Sequence, residues 1–263
     1  MKKIVRAFPL LLIMSLLVGL CACGGNNVTG YMTAAELAES DFRVAFREGD
    51  RLCEEVTAAL QVLSAQGKLR ELSVHWFGED LSMLNGDANA LSALGEISPR
   101  SLIVGVTPGS MPMSWRTGEA YTGFDAELAE AVCGLLGWEL RFISIEDDQA
   151  ALYLAAGEVD CVWSGRSFED VSGVSCSPAY LKNAVIVVAN ADSGIKSLKK
   201  LKGRVVGMSG DTELASAFES SEAATLPESI RSCGSTESCF NALRNGLADA
   251  IVTDSAALMY YSK

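Results

Sequence analysis

From Leu102 onward, short continuous apolar runs alternate with stretches in which apolar residues recur every three or four positions. Leu102–Val106, Val159–Trp163 and Ala184–Ala189 are runs of the kind that form buried strands. Asp125–Leu136 has helical spacing and is followed by Gly137, a residue type that commonly ends helices. This alternation predicts an α/β fold in which mostly parallel sheets are flanked by crossover helices.

Shorter elements continue the alternation on both sides of a polar turn at Asn190–Gly194. The pattern predicts strands at Trp138–Ile145, Val205–Met208, Ser229–Ser232 and Ala248–Thr253, and helices at Gln149–Ala156, Thr212–Glu219, Thr236–Asn245 and Ser255–Tyr261. Two α/β units joined through Ala184–Ala189 account for this order.

The front of the chain has a different pattern. Phe42–Phe46 predicts a short strand, and two helices follow it, ended by Gly67 and Gly78. Both helices carry an apolar stripe, yet only one strand accompanies them, so we expect them to pack on a sheet supplied by later residues. Residues 78–100 have no strong pattern and are predicted to be a connection.

Residues 1–22 have the layout of an export signal. A positively charged start precedes the apolar run Phe8–Leu20, which is too short to span a bilayer. The segment that ends in Cys23 resembles the lipobox of bacterial lipoproteins. We therefore expect a cleaved signal peptide, lipid on Cys23, a tether at 23–30 and anchoring to the outer face of the cytoplasmic membrane. An ordinary signal peptide cleaved near Ala22 is the alternative.

The chain is acidic. It has 21 basic and 33 acidic residues, and three of the basic residues but none of the acidic ones lie within residues 1–22, so the mature chain carries a net charge of −15. This charge argues against a nucleic-acid partner and against electrostatic attraction to anionic lipid.

Eight cysteines become six once Cys21 is cleaved off and Cys23 carries lipid. Cys233 and Cys239 are separated by five residues and can close a small loop in an oxidising compartment, which leaves a disulfide and two buried thiols as open alternatives. The single histidine, His75, cannot anchor a histidine-rich cluster, so neither a metal nor a cofactor is expected.

Short motifs stand at the ends of many predicted elements. They are Leu102–Val106, Pro112, Thr122–Asp125, Gly157–Asp160, Ser193–Leu198, Leu201–Gly203 and Asn245–Ala250, with Phe42–Asp50 and His75–Gly78 nearer the front. Together they resemble the polar amino acid substrate-binding proteins of ABC importers, bacterial solute-binding protein family 3, which have the periplasmic-binding-protein type 2 fold. The resemblance implies two lobes, each with a sheet flanked by helices, that close on a small molecule.

The motifs stand in an unusual order. Residues 101–263 resemble the first three quarters of that family, whereas Phe42–Gly78 resembles its usual C-terminus. We interpret the chain as a circular permutant whose old ends are joined through residues 78–100 and whose new ends lie near Lys263 and Tyr31. A truncated tandem is the alternative.

The permuted order implies a division into two lobes. Lobe 1 is predicted at residues 46–187, including the joining linker, and lobe 2 at residues 31–45 and 188–263. The hinge is predicted to run through Phe42–Phe46 and Ala184–Ala189.

Ligands of open α/β sheets bind beyond the carboxyl ends of the strands. This rule and the resemblance give as candidate ligand-binding residues Thr107, Ser110, Asp147, Ser164, Gly165, Arg166, Ser167, Ser209, Asp211, Thr212 and Asp254. The resemblance implies that Asp254 binds the ligand's α-ammonium group, although capping the helix at Ser255 is an alternative role. It also implies that residues 164–167 and 209–212 bind a carboxylate from the two lobes.

Some of these positions depart from the family pattern. Ser110 and Asp147 stand where the family usually has aromatic side chains, and its carboxylate-binding arginine is missing from Phe168–Val174. Arg166 either substitutes for that arginine or faces solvent. The acidic residues Asp147, Asp211 and Asp254 are predicted to face one cleft, which indicates a cationic or amine-rich ligand, or weak or lost amino acid binding.

These features favour a monomeric receptor that captures a small molecule for an ABC permease. An orphan or sensory module that contacts a protein through a degenerate pocket is the second hypothesis. Catalysis is not expected, because His75 lies on a helix far from every strand end.

Overall fold

The computed structural model describes residues 30–107, 109–163, 168 and 171–263. In chain order the strands are β1 (Tyr31–Phe42), β2 (Val44–Arg47), β3 (Ser101–Val106), β4 (Trp115–Thr117), β5 (Ala120–Thr122), β6 (Glu139–Ser144), β7 (Cys161–Trp163), β8 (Val174–Cys176), β9 (Leu181–Asn190), β10 (Val205–Ser209), β11 (Ser229–Cys233) and β12 (Ala250–Asp254). The helices are α1 (Leu52–Ala65), α2 (Lys68–Phe77), α3 (Phe124–Leu136), α4 (Ala150–Ala156), α5 (Thr212–Glu219), α6 (Thr236–Arg244) and α7 (Ser255–Tyr261).

Two sheets of five described strands each divide these elements into two lobes. Lobe 1 contains the sheet β6-β3-β7-β2-β8, and lobe 2 contains the sheet β1-β9-β12-β10-β11. Each sheet has parallel pairs, such as β3 with β6 and β10 with β12, and antiparallel pairs, such as β2 with β7 and β9 with β12. The predicted two-lobed α/β class is confirmed, with mixed sheets where mostly parallel ones were predicted.

Strand β9 shows why its sequence is continuously apolar. Val185, Val187 and Ala189 belong to the core on one face of the lobe 2 sheet, whereas Ile186 and Val188 belong to the core on the other face. Successive side chains of a strand point to opposite faces, so a strand covered on both sides needs apolar residues at every position.

Strand β1 lies at the edge of lobe 2 and was not predicted. It pairs antiparallel with β9 from Tyr31 opposite Asn190 to Phe42 opposite Leu181, with register irregularities between Thr33 and Ala38. Its sequence is rich in alanine and glutamate, which have low intrinsic strand preference, so the neighbouring strand rather than local propensity determines its conformation.

The chain passes between the lobes at two neighbouring places. β1 ends at Phe42 and β2 begins at Val44, while β8 ends at Cys176 and β9 begins at Leu181. The Tyr180 backbone N–H donates to the Phe42 carbonyl (3.0 Å), which holds the crossings together. Both crossings come earlier in the chain than the predicted lobe boundaries at residues 46 and 188, because β2 and β9 each pair within a single sheet. The second crossing also precedes the predicted hinge segment 184–189.

The front helices pack as expected on a sheet made mainly by later residues. Leu60 of α1 and Leu69 of α2 belong to the same core as Leu102 of β3 and Leu128 of α3. The αL conformation of Gly78 (φ 85°), which favours glycine, ends α2. Among the described residues, no helix combines the length and apolar character needed to cross a membrane.

Cys233 and Cys239 are neighbouring free thiols in the lobe 2 core. Burial raises the pKa of the Cys239 thiol, and its hydrogen bond with Cys233 raises the pKa further. A disulfide between them stays a prediction.

Candidate functional site

A cleft lies between the lobes, beyond the carboxyl ends of β3, β6, β10, β11 and β12. It contains two adjoining hollows of about 440 and about 570 Å³ of empty space, including the open mouth. Thr107, Ser110, Asp211 and Thr236 border both hollows, with the first two residues supplied by lobe 1 and the others by lobe 2. The predicted placement of ligands at strand ends therefore corresponds to an actual concavity.

The lobe 1 wall begins with Thr107, directly after β3. Its Oγ1 is buried and has no hydrogen-bond partner among the described residues. Buried hydroxyls are nearly always paired, so this atom is suited to a polar group of a molecule in the cleft. Ser110 borders the same hollows, and its carbonyl accepts from the Met113 N–H (2.7 Å).

The two lobes approach each other closely at Gly109. A Cβ placed on Gly109 would lie 3.3 Å from the Cβ of Ser235, the residue that caps α6 in lobe 2. The positive φ of Gly109 (81°) is also a conformation that L-residues rarely adopt. Glycine therefore serves both the turn after β3 and the close contact across the cleft.

In lobe 2, Asp211 has a structural role as well as a position in the cleft. Its Oδ1 accepts a hydrogen bond from the Leu214 N–H (3.0 Å), which makes it the N-cap of α5. Ser209 and Gly210 border the second hollow with it, whereas Thr212 is an exposed residue in the first turn of α5 and borders neither hollow.

Asp254 borders the first hollow from the end of β12. Its Oδ1 accepts from the Asn183 Nδ2 (2.6 Å), and it forms no side-chain cap hydrogen bond to α7. The Asn183 Oδ1 accepts instead from the Ser255 hydroxyl (3.0 Å) and the Ala256 N–H (3.4 Å). Asp254 thus occupies the N-cap position of α7, but the side chain that accepts a hydrogen bond from the helix N–H is Asn183 of the neighbouring strand.

The first hollow has an apolar wall, which was not predicted from the sequence. Phe42, Met111 and Met113 line it, together with Ala256 and Ala257. The positions expected to carry aromatic side chains in the family are polar here, but adjacent residues supply apolar surface. Methionine adapts its shape readily, which suits a pocket that accommodates an alkyl chain.

Glu146 was also missed by the sequence analysis. It is an exposed residue after β6 and borders the second hollow. Its position next to Asp147, a predicted ligand-binding residue, could have indicated it. Glu146, Asp211 and Asp254 thus bring three carboxylates to the cleft, and no lysine, arginine or histidine is among the described residues that line the two hollows. A site of this composition favours positive charge.

Several predicted site residues lie outside the residues that the structure describes. Cys23 and residues 164–167, which include Arg166, are outside the described ranges, and only the backbone of Asp147, in a 3₁₀ turn, is described. His75 is an exposed residue whose ring contacts Trp76 on α2. Within the described ranges, no group of three or more potential ligands is arranged to hold a metal ion.

The family comparison agrees with this architecture. Residues 102–253 match the bacterial extracellular solute-binding proteins, family 3, and the chain belongs to that family. The predicted relationship is therefore confirmed. The matched segment contains β3 to β12 except for the first residue of β3 and the last residue of β12, and thus most of the strand ends that border the cleft.

Two curated relatives are named as amino acid-binding proteins. The chain is 33% identical over 125 residues, 47% of its length, to the arginine-binding extracellular protein ArtP of Bacillus subtilis. It is 27% identical over 158 residues, 59% of its length, to a probable histidine-binding protein of Campylobacter jejuni. The chain spans 48% and 60% of the lengths of these relatives.

A solved structure described as an ancestral cationic amino acid solute-binding protein matches with a TM-score of 0.52 and 32% identity, covering 62% of this chain and 73% of that one. A further structure of that ancestral protein, matching with a TM-score of 0.53, 32% identity and coverage of 62% and 74%, is described as a precursor of cyclohexadienyl dehydratase. The relatives named here are thus described as binding proteins.

Proposed function

We propose that the protein captures a cationic amino acid or a related amine between its lobes and presents it to the permease of an ABC importer. The observation that carries the proposal is the cleft itself, where Thr107 from lobe 1 and Asp211 and Asp254 from lobe 2 border the same concavity. Ligand capture between lobes would use the two neighbouring chain crossings as its hinge.

The composition of the cleft supports a positively charged ligand. A cation would be attracted by Glu146, Asp211 and Asp254, whose carboxylates reach the cleft from three different strand ends. Met111 and Phe42 would cover the alkyl part of such a ligand, which combines an apolar body with a charged end. Arginine- and histidine-binding relatives are consistent with this class.

Isothermal titration calorimetry with L-arginine, L-histidine, spermidine and L-glutamine tests the proposal. We expect binding of at least one cationic compound and none of glutamine. Micromolar binding of glutamine with no response to the cations would contradict the assignment. The variant Asp192→Asn removes one negative charge at an exposed turn, and we expect it to bind the same compounds as the native chain.

The lipid anchor and the permutation belong to the same proposal. Tyr31 and Tyr261 both contact the ring of Phe240, at centroid distances of 5.3 and 4.2 Å, so residues 31 and 261 lie near each other. This proximity supports a chain in which the segment 31–78 has been moved from the back to the front. A chain rearranged to place residues 31–78 after Lys263 should retain arginine affinity; loss of folding would favour another origin of the order.

The anchor itself rests on the sequence around Cys23. Cells supplied with a clickable palmitate analogue should label the native chain, whereas Cys23→Ser should abolish the label. Labelling that survives this substitution would place the acyl group elsewhere.

The second candidate, a sensory module with a degenerate pocket, is favoured by the serine at position 110, which offers no stacking surface. A thermal-shift screen distinguishes the two, because a bound ligand raises the melting temperature by mass action. No shift with amino acids, polyamines or short peptides would favour the sensory candidate.

A further inference from the structure

Five basic residues form an exposed patch on lobe 2. Within nine residues, the chain carries Lys196, Lys199, Lys200, Lys202 and Arg204, and all five are exposed. We call these five residues the basic patch. It concentrates five positive charges in a mature chain whose net charge is −15, so the local charge of this surface is opposite to the net charge of the protein.

Most of this charge is not neutralised by neighbouring acids. Arg204 pairs with Asp249 (3.1 Å between Nη1 and Oδ1), and Asp192 lies exposed in the preceding turn. The four lysines, in contrast, form no ion pair with any residue in the described ranges. Four ammonium groups are therefore presented to the surroundings.

The basic patch packs beside the strand through which the chain enters lobe 2. The 3₁₀ turn that carries Lys199 and Lys200 packs through Leu198 and Leu201 into the same core as Leu37 of β1. At the start of β1, the Gly30 carbonyl accepts from the Ala191 N–H (3.1 Å), five residues before the patch begins.

The position of the chain entry relates the patch to the proposed lipid anchor. Six residues separate Cys23 from Gly30, and six extended residues reach about 20 Å at about 3.3 Å each. Lipid on Cys23 would therefore keep the entry of lobe 2 close to the bilayer, and the basic patch with it. This reach is an upper limit on the separation, so the basic patch can come within one Debye length of the headgroups, about 8 Å at physiological ionic strength, where screening is weak enough for attraction.

We propose that the basic patch docks on anionic phospholipid headgroups and orients lobe 2 against the membrane while the anchor holds the chain there. This inference rests on the lipid anchor in the proposed function. The acidic remainder of the chain would be repelled by the same surface, so only an orientation that turns the patch toward the bilayer is favoured. Attraction of about 1 kcal/mol per lysine corresponds to about a fivefold preference for each residue.

The test uses the lipid-modified chain reconstituted into vesicles of phosphatidylcholine, or of equimolar phosphatidylcholine and phosphatidylglycerol. Lysine accessibility is measured by mass spectrometry after brief treatment with a water-soluble acylating reagent. We expect Lys196 and Lys202 to react about fivefold more slowly on anionic vesicles, and added salt to restore their reactivity. Lys182, exposed at the opposite end of β9, should react equally on both.

Two matched variants test the role of charge. Lys199→Glu/Lys200→Glu retains Lys196 and Lys202 as reporters and should abolish their protection. Arg116→Glu/Arg141→Glu changes the net charge by the same amount at exposed positions on lobe 1 and should leave the protection intact. Equal reactivity of the native chain on both vesicle types, or protection that persists in Lys199→Glu/Lys200→Glu, would overturn the inference.

Failure of the anchor is a separate outcome. A chain that does not float with neutral phosphatidylcholine vesicles would lack the anchor on which this inference depends, and would overturn it together with that part of the proposed function. Calorimetry with L-arginine on the same preparations measures solute capture independently, and we expect the Lys199→Glu/Lys200→Glu variant to retain native affinity.

Discussion

Gly109 of lobe 1 and Ser235 of lobe 2 meet so closely that a single added methyl group would lie 3.3 Å from the serine Cβ. Their contact brings the loop after β3 against the cap of α6 and narrows the cleft between them. Because glycine has no side chain, Gly109 allows the two lobes to come into contact at this point.

A larger residue at this position should prevent the lobes from meeting. Asparagine tolerates the left-handed conformation, so Gly109→Asn places a side chain in the contact with limited backbone strain. We expect L-arginine affinity to fall on the order of tenfold, which corresponds to about 1.4 kcal/mol. Calorimetry measures the affinity, and small-angle X-ray scattering should show less compaction on adding arginine.

The chain provides a matched control for this change. Gly118 has a similar positive φ (65°), yet a Cβ there would meet no atom within 4 Å. Gly118→Asn should therefore retain native affinity. If the two variants bind arginine equally well, the contact between Gly109 and Ser235 does not limit lobe closure.

The two roles of Asp211, capping and attraction of a cation, can be separated. Asp211→Ser keeps a side chain able to cap α5 but loses the charge, whereas Asp211→Ala loses both. We expect the serine variant to unfold with native stability and the alanine variant to lose about 1 kcal/mol, as measured by urea denaturation. Both should bind arginine more weakly; native affinity in Asp211→Ser would exclude a role for its charge.

Asp254→Asn tests the carboxylate that Asn183 orients. The substitution keeps the size of the side chain, so the melting temperature should change little, while removal of a charge facing a bound cation should cost about 2 kcal/mol or more of binding. Calorimetry with L-arginine measures this loss, and Asp192→Asn again controls for net charge. An unchanged affinity would show that Asp254 serves only the network around Asn183.

The periodicity of apolar residues predicted the helices and strands that are defined by residues nearby in sequence. The bounds of α5 and α7 agree with the sequence pattern, because each helix has a polar residue at its N-cap position and apolar residues at helical spacing. β1 was missed because its pairing with β9 depends on a partner far away in sequence. β2 and β9 were predicted as strands, but their antiparallel direction was missed for the same reason, since strand direction is a property of topology rather than of local pattern.

The candidate site shows the same limit. Strand ends indicated Thr107, Ser110 and Asp211, because loops after parallel strands converge. Met111 and the capping role of Asn183 were not evident, since a methionine in a loop and a polar residue within an apolar strand acquire meaning only when their neighbours are known. Sequence thus locates a cleft better than it describes the surfaces that line it.

The Asp125–Tyr180 pair beneath the crossings predicts a dependence of stability on pH. Burial raises the pKa of Asp125 to about 7, and the hydrogen bond from the Tyr180 hydroxyl (2.6 Å) only partly offsets that rise. The folded state therefore binds more protons than the unfolded chain between about pH 4 and pH 7, so the contribution of Asp125 to stability falls as pH rises through this window, by at most about 1.4 kcal/mol per unit.

Asp125→Asn should remove this part of the slope in urea unfolding, measured against Asp192→Asn as an exposed control. Tyr180→Phe should extend the window above pH 7, because loss of the hydrogen bond raises the pKa of Asp125 further. Parallel stability curves for the native chain and Asp125→Asn would show that Asp125 has the same pKa in the folded and unfolded states.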